Sequence, residues 1–232
     1  MSVFDLPRIP EAEVMDSSSE VEVYSSAAAR SFLNRIDDTF VEHTLRLLPG
    51  KERGRALDIG TGPGQIVLKL ARRLKLWKFV GVDRSANMIA QAQSNLAATG
   101  EAAGRVEFQS ADGNRLAFPD ASFHLVLCNS VLHHLAEPRN LLAEMARVAK
   151  PAAAILLRDL RRPGRLAYPF HVRWHGRHYT GVMYKLYKDS VCAAYTVPEL
   201  QSLVDSSPLQ GVRVFEHNRT HIGIERPAGP QQ

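Results

Sequence analysis

The chain alternates between two hydrophobic periods. Ala28, Phe32, Ile36, Phe40, Leu45 and Leu48 fall near 3.6-residue spacing, which predicts an amphipathic helix over about 25–48 that ends at Pro49-Gly50. Short apolar runs then predict strands at 55–59, 78–82, 105–109, 123–128 and 153–159. Between them, helical patterns cover 65–74, 86–99 (stopped by Gly100) and 140–148 (closed by Lys150-Pro151). Thr196, with Pro198 and Glu199 behind it, has the form of a capping box and predicts a helix to about Val204. The runs 212–216 and 221–225 alternate as two strands around Asn218-Arg219, a hairpin. Regular βαβα alternation predicts an α/β fold: a doubly wound, mostly parallel seven-stranded sheet with a C-terminal antiparallel hairpin. About 35 residues separate the fifth strand from the Thr196 helix, too many for a plain connection, and predict an inserted lid. The organisation expected is an N-terminal segment with cap helices over 1–50, a ligand-binding core over 51–160, the lid over 161–195, and a helix and hairpin over 196–232 that complete the core.

Composition narrows this picture only a little. The 232 residues are 45% hydrophobic and 23% charged, ordinary for one globular domain with a sizeable core. Cys128 and Cys192 are the only cysteines and lack metal-like spacing, so a reducing cytoplasm is the expected compartment. No signal-like segment opens the chain and no apolar run is long enough to span a membrane, so no membrane partner is expected. A net charge of +5 does not argue for nucleic acid, although homo-oligomers remain open. Residues up to about Glu20 are rich in Pro, Ser and acids and read as irregular.

The chemistry concentrates at Asp58-Ile59-Gly60-Thr61-Gly62-Pro63-Gly64, where the first strand turns into a helix. In an open α/β sheet this turn is the usual ligand contact. A dinucleotide fingerprint would place its third glycine at position 65, which is Gln65. Glycines at 60, 62 and 64 behind Asp58 instead resemble motif I of the class I S-adenosylmethionine-dependent methyltransferases. Three later features fall in order with that resemblance. Asp83 ends the second strand, where a carboxylate can accept from both ribose hydroxyls, though an acid there is also a helix cap. Met88 on the next helix would lie against the adenine. Asp112-Gly113 after the third strand reads as a turn. The resemblance implies that Asp112 also takes the adenine amino group. Asn129 ends the fourth strand, and the family pattern sets it beside the methionine moiety through backbone or side chain. The implied cofactor is S-adenosylmethionine, with S-adenosylhomocysteine as product. Its candidate contacts are Asp58, Gly60, Thr61, Gly62, Gly64, Asp83, Arg84, Met88, Asp112, Gly113 and Asn129.

The resemblance covers about 25–227 and is specific only for the cofactor half. Bacterial relatives also carry a head like Pro10 to Asp16 before a tyrosine such as Tyr24, which implies that the head closes over the cofactor. They usually have Gly-Gly where this chain has Ala152-Ala153. Methyl transfer to O, N, S or C needs positioning first, and a base only if the acceptor must lose a proton. Asp159, His134 and Tyr24 are the catalytic candidates, with an ion pair to a neighbouring arginine as the other reading of Asp159. Alternation puts Arg158 and Asp159 on opposite faces of their strand. His133 and His134, being adjacent, should point apart, so no shared metal is expected. His171, His175 and His178 share a helix face with no acid or cysteine nearby, and lid packing is the expectation. From Arg158 to Lys188 eight cations stand against Asp159 alone, which suits an anionic small-molecule acceptor or a plain solvated face. The rival functions are an RNA or protein methyltransferase and a catalytically silent cofactor-binding subunit.

Overall fold

The computed structural model describes residues 6–11, 31–100 and 104–230. Helix α1 (Ser31–Arg46) precedes the alternating unit β1 (Arg53–Ile59), α2 (Gln65–Arg73), β2 (Leu76–Asp83), α3 (Ala86–Thr99), β3 (Val106–Ser110), β4 (Phe123–Asn129), α4 (Pro138–Val148) and β5 (Ala149–Leu160). The lid then folds as α5 (Tyr168–His175) and α6 (Gly181–Ala193), and α7 (Val197–Asp205) leads to β6 (Arg213–His217) and β7 (His221–Arg226). The seven strands lie in the order β3-β2-β1-β4-β5-β7-β6. The first five pair in parallel, while β7 runs antiparallel to both β5 and β6. Tyr24 and Asp16 fall outside the described residues.

The period-2 alternation of the strands divides the core into two layers. Leu57, Ile59, Val80, Val82, Val126, Cys128, Ile155 and Leu157 face α4 and α7, where Leu141, Met145, Leu200 and Val204 meet them. Ala56, Phe79, Leu125, Leu127 and Leu156 face the other way, against Phe40 of α1 and Val67 and Leu70 of α2. Because β1 has β2 on one side and β4 on the other, the chain reverses direction across the sheet at β1. The carboxyl ends of β1 and β4 therefore flank the crevice where such sheets bind ligands. The capping box forms as the sequence predicts: Glu199 Oε2 accepts from Thr196 N at 2.8 Å.

Two expectations change. The strand predicted over 153–159 begins at Ala149, because its start pairs irregularly with β4 around Phe123 and Leu125. The helix predicted to carry three lid histidines stops at Gly176, a poor helix former, and continues as a single 3-10 turn through His178. His171 and His175 remain neighbours, with ring centroids 4.8 Å apart.

Candidate active site

The turn after β1 is held from below. Gly60 N and Thr61 N donate to Val82 O at 2.8 and 2.9 Å, and Gly62 N donates to Asp83 Oδ2 at 2.8 Å. Gly60 and Gly62 have φ of 73° and 51°, the left-handed region that favours glycine. A Cβ on Gly60 would strike Val131, whereas one on Gly62 would meet nothing within 4 Å. The loop is thus packed at its base and open at its crest. Asp58, behind it, is 2% exposed, and its Oδ2 has no hydrogen-bond partner. Burial pushes its carboxyl up to about 7, with the Asp83 charge adding to the effect. The Thr61 hydroxyl lies beside it, buried, and its interaction with the Asp58 carboxyl opposes that rise.

Asp83 also accepts from Ser85 N at 2.9 Å, and Ser85 in turn caps α3 through Met88 N. Burial raises the Asp83 carboxyl, against the pull of these backbone donors. The helix cap is thus Ser85 rather than Asp83, which supports it from one step back. Met88 is buried on α3 and Arg84 is exposed beside the strand end. Asp112 closes a turn by accepting from Asn114 N at 2.9 Å, and Gly113 passes so near Ile59 that a Cβ would clash. The Asn129 side chain already accepts from Arg158 Nε at 3.1 Å. An open glycine crest, a buried carboxylate with an unpartnered oxygen at Asp58 and a second carboxylate at the neighbouring strand end fit a ligand that carries an amino group and a ribose.

Beyond Asn129 lies a cavity of about 710 Å³, walled by α1, the lid and the β6–β7 turn. Ile36, Leu160, Trp174, Met183 and Leu186 give it apolar sides, and Asp37, Tyr179, His134 and His217 bring polar atoms. Ser130, at its floor, has φ 58° and donates from its backbone N to Arg158 O at 2.8 Å. Burial pushes the Asp37 carboxyl up to about 6, against the nearby cations Lys69 and Arg158. Burial, with Asp37 adding, raises the Tyr179 phenol to about 12.

His133 and His134 do not diverge as their adjacency suggested. They sit in a 3-10 turn (Leu132–His134) that brings their rings to 4.0 Å between centroids. His133 Nδ1 lies 2.5 Å from Asp159 Oδ1, and its backbone N donates to Asp159 Oδ2 at 3.0 Å. Burial works against charge on both partners, yet their attraction prevails: His133 is raised and Asp159 lowered from their ordinary values. His134 Nδ1 lies 3.0 Å from Glu11 Oε2, a residue the sequence reading did not single out. Burial would raise Glu11, but the hydrogen bond and charge of His134 lower it. Arg8 anchors the head by donating to Ala193 O at 2.7 Å and to His133 O at 3.3 Å. Asp159 therefore pairs with a histidine rather than an arginine, and reaches the cavity only through His133. Residues 6–11 are irregular, as their composition predicted, and pack on the protein rather than hang loose.

The basic lid is also less available than its charge count suggested. Arg158 is buried and spans from Asn129 to Thr39 Oγ1 (2.8 Å) and Ile36 O (3.1 Å) on α1. Arg162 is buried too and donates to Leu6 O, Ala194 O and Glu199. Arg161 pairs with Glu216 at 2.7 Å. Three of the eight cations are thus tied into the fold: Arg158 lies within β5 and is buried, Arg162 is buried just beyond its end, and Arg161 is held at the surface by Glu216.

Residues 57–157 match the family model described as a methyltransferase domain. The chain is 30% identical over 149 residues to the ubiquinone/menaquinone biosynthesis C-methyltransferase of Geobacter sulfurreducens, covering 61% of this chain and 58% of that one. It spans about half the length of the relatives that it matches near this identity. A relative of the same description from Stutzerimonas stutzeri is 26% identical and is matched over 96% of this chain and 94% of its own. The crystal structure of a SAM-dependent methyltransferase from Aquifex aeolicus shares the fold with a TM-score of 0.66 at 21% identity, over 90% of this chain and 97% of that one. With the glycine turn, the strand-end acid and the sheet order in place, residues 57–157 are a methyltransferase domain of the class I, S-adenosylmethionine-dependent type.

Proposed function

We propose that the protein methylates a small, largely apolar acceptor that carries an ionisable hydroxyl or acidic carbon, with His134 as the base. The observation that carries this reading is His134 itself. It lines the cavity next to Asn129 and Ser130, and its Nδ1 is engaged by Glu11. With the proton on Nδ1 facing the carboxylate, Nε2 carries the lone pair. When bound, S-adenosylmethionine supplies an electrophilic methyl carbon on a sulfonium, and Asp58, Thr61, Gly62 and Asp83 are the residues that would hold it. The cavity walls position the acceptor and exclude water from it. His134 takes the acceptor's proton as the nucleophile attacks, and Glu11 stabilises the imidazolium that forms. Asp159 acts one step back, as a positioning residue that fixes His133 and through it the turn.

The aromatic and aliphatic lining favours a flat, apolar acceptor, and the buried Arg158 and Arg162 remove two groups that would have greeted an anion. Relatives named for C-methylation in quinone biosynthesis point the same way. The test is production of S-adenosylhomocysteine with a panel of phenolic and enolic acceptors. His134→Gln should lower kcat about a hundredfold while leaving S-adenosylhomocysteine affinity unchanged. Wild-type turnover in that variant would remove His134 from the chemistry.

A further inference from the structure

The lid carries an exposed surface that meets the acceptor site only at Trp174. Leu166, Phe170 and Trp174 are 71%, 76% and 66% exposed. Leu166 lies in the turn that enters α5, and spacing by four places all three on one side of the helix. Val172, half a turn away, is the buried residue of α5. Three large apolar side chains in a row facing water call for a partner. Arg165 and Arg173 are exposed on the same segment. The Arg177 guanidinium stacks 4.6 Å from the Trp174 ring and donates to Trp174 O at 2.5 Å. From 161 to 188 the sequence contains neither Asp nor Glu.

We propose that this face of the lid docks on an anionic lipid bilayer, with Leu166, Phe170 and Trp174 entering the acyl boundary and Arg165, Arg173 and Arg177 meeting headgroup phosphates. Apolar side chains framed by cations are the composition of an interfacial helix, and indole rings settle at that depth. Charge complementarity selects the bilayer over its rivals. A second copy of the chain would set two cationic faces against each other. A nucleic acid would satisfy the arginines and leave Leu166 and Phe170 without an apolar environment. The absence of a spanning run concerns crossing a membrane, and peripheral contact replaces the expectation of no membrane partner at this one surface. Trp174 also lines the acceptor cavity, so docking brings a cavity wall against the bilayer.

The test is flotation of the full-length protein with vesicles of phosphatidylcholine alone and of equal parts phosphatidylcholine and phosphatidylglycerol. The protein should follow the phosphatidylglycerol vesicles and release them in high salt. The double variant L166S/F170S, whose positions lie outside the cavity lining, should partition about tenfold less or weaker, at unchanged melting temperature and cofactor affinity. Trp174 emission should shift to the blue on binding, and Trp174→Phe should abolish the shift, because Trp77 is buried. Equal flotation with both vesicle types, or a double variant that binds like wild type, overturns the proposal. So does a double variant that loses only self-association or RNA binding.

Discussion

Asp83 shows how one side chain supports two neighbouring elements. Its carboxylate holds Gly62 N and Ser85 N and so shapes both the glycine turn and the start of α3. Asp83→Ala should weaken S-adenosylhomocysteine binding about tenfold or more in calorimetry, since a charged acceptor is lost. Unchanged affinity would break the ribose assignment. The His133–Asp159 pair makes a prediction about pH. Asp159, held low, contributes stability above about pH 4 that is lost as the pH falls through its lowered pKa. His133, held high, contributes fully below about pH 6.5 and loses its share as the pH rises through its raised pKa. His133→Asn keeps a donor near Nδ1 and removes the charge. The melting-temperature gap between wild type and this variant should therefore be larger near about pH 5.5 than near about pH 9. Comparing the two proteins at each pH cancels the other histidines that titrate, among them His221, which burial pushes down to about 3. A gap that does not change with pH would show that the charge contributes nothing.

At the scale of elements, the strands and helices were largely legible because each repeats its own period. The lid was legible only as an insertion. Its arginines look equivalent in sequence, yet the packing separates them. Arg161 bridges Glu216 at the surface, and Arg161→Ala should cost no more than about 1 kcal/mol. Arg162 is buried among Leu6 O, Ala194 O and Glu199, tying head, α6 and α7 together. Arg162→Ala should cost about 2–3 kcal/mol in denaturant unfolding. Equal losses would show that the buried contacts carry no more than the surface pair. The hairpin turn at Asn218, with φ 56°, illustrates the opposite case, where a local residue preference sets the element's end.

At the scale of the molecule, residues 6–11 fasten the head to the end of the lid. Ile9 N donates to Cys192 O at 3.1 Å, and Arg8 packs 4.3 Å over the Tyr195 ring while bonding to Ala193 O and His133 O. Arg8→Ala should release the head, so that proteases cut the N-terminal segment faster and kcat falls as Glu11 leaves His134. Unaltered cleavage and turnover would show that the head sits there without consequence. The sequence by itself determined the glycine turn, the strand-end acids, the capping box and the order of strands and helices. Each of these is written in residues a few positions apart, whose backbone demands are local. Only the tertiary structure decided that Glu11 meets His134, that Asp159 meets His133 rather than an arginine, and that Arg158 and Arg162 are spent inside the protein. Those contacts join distant parts of the chain, and the sheet order, not local preference, fixes which of them meet.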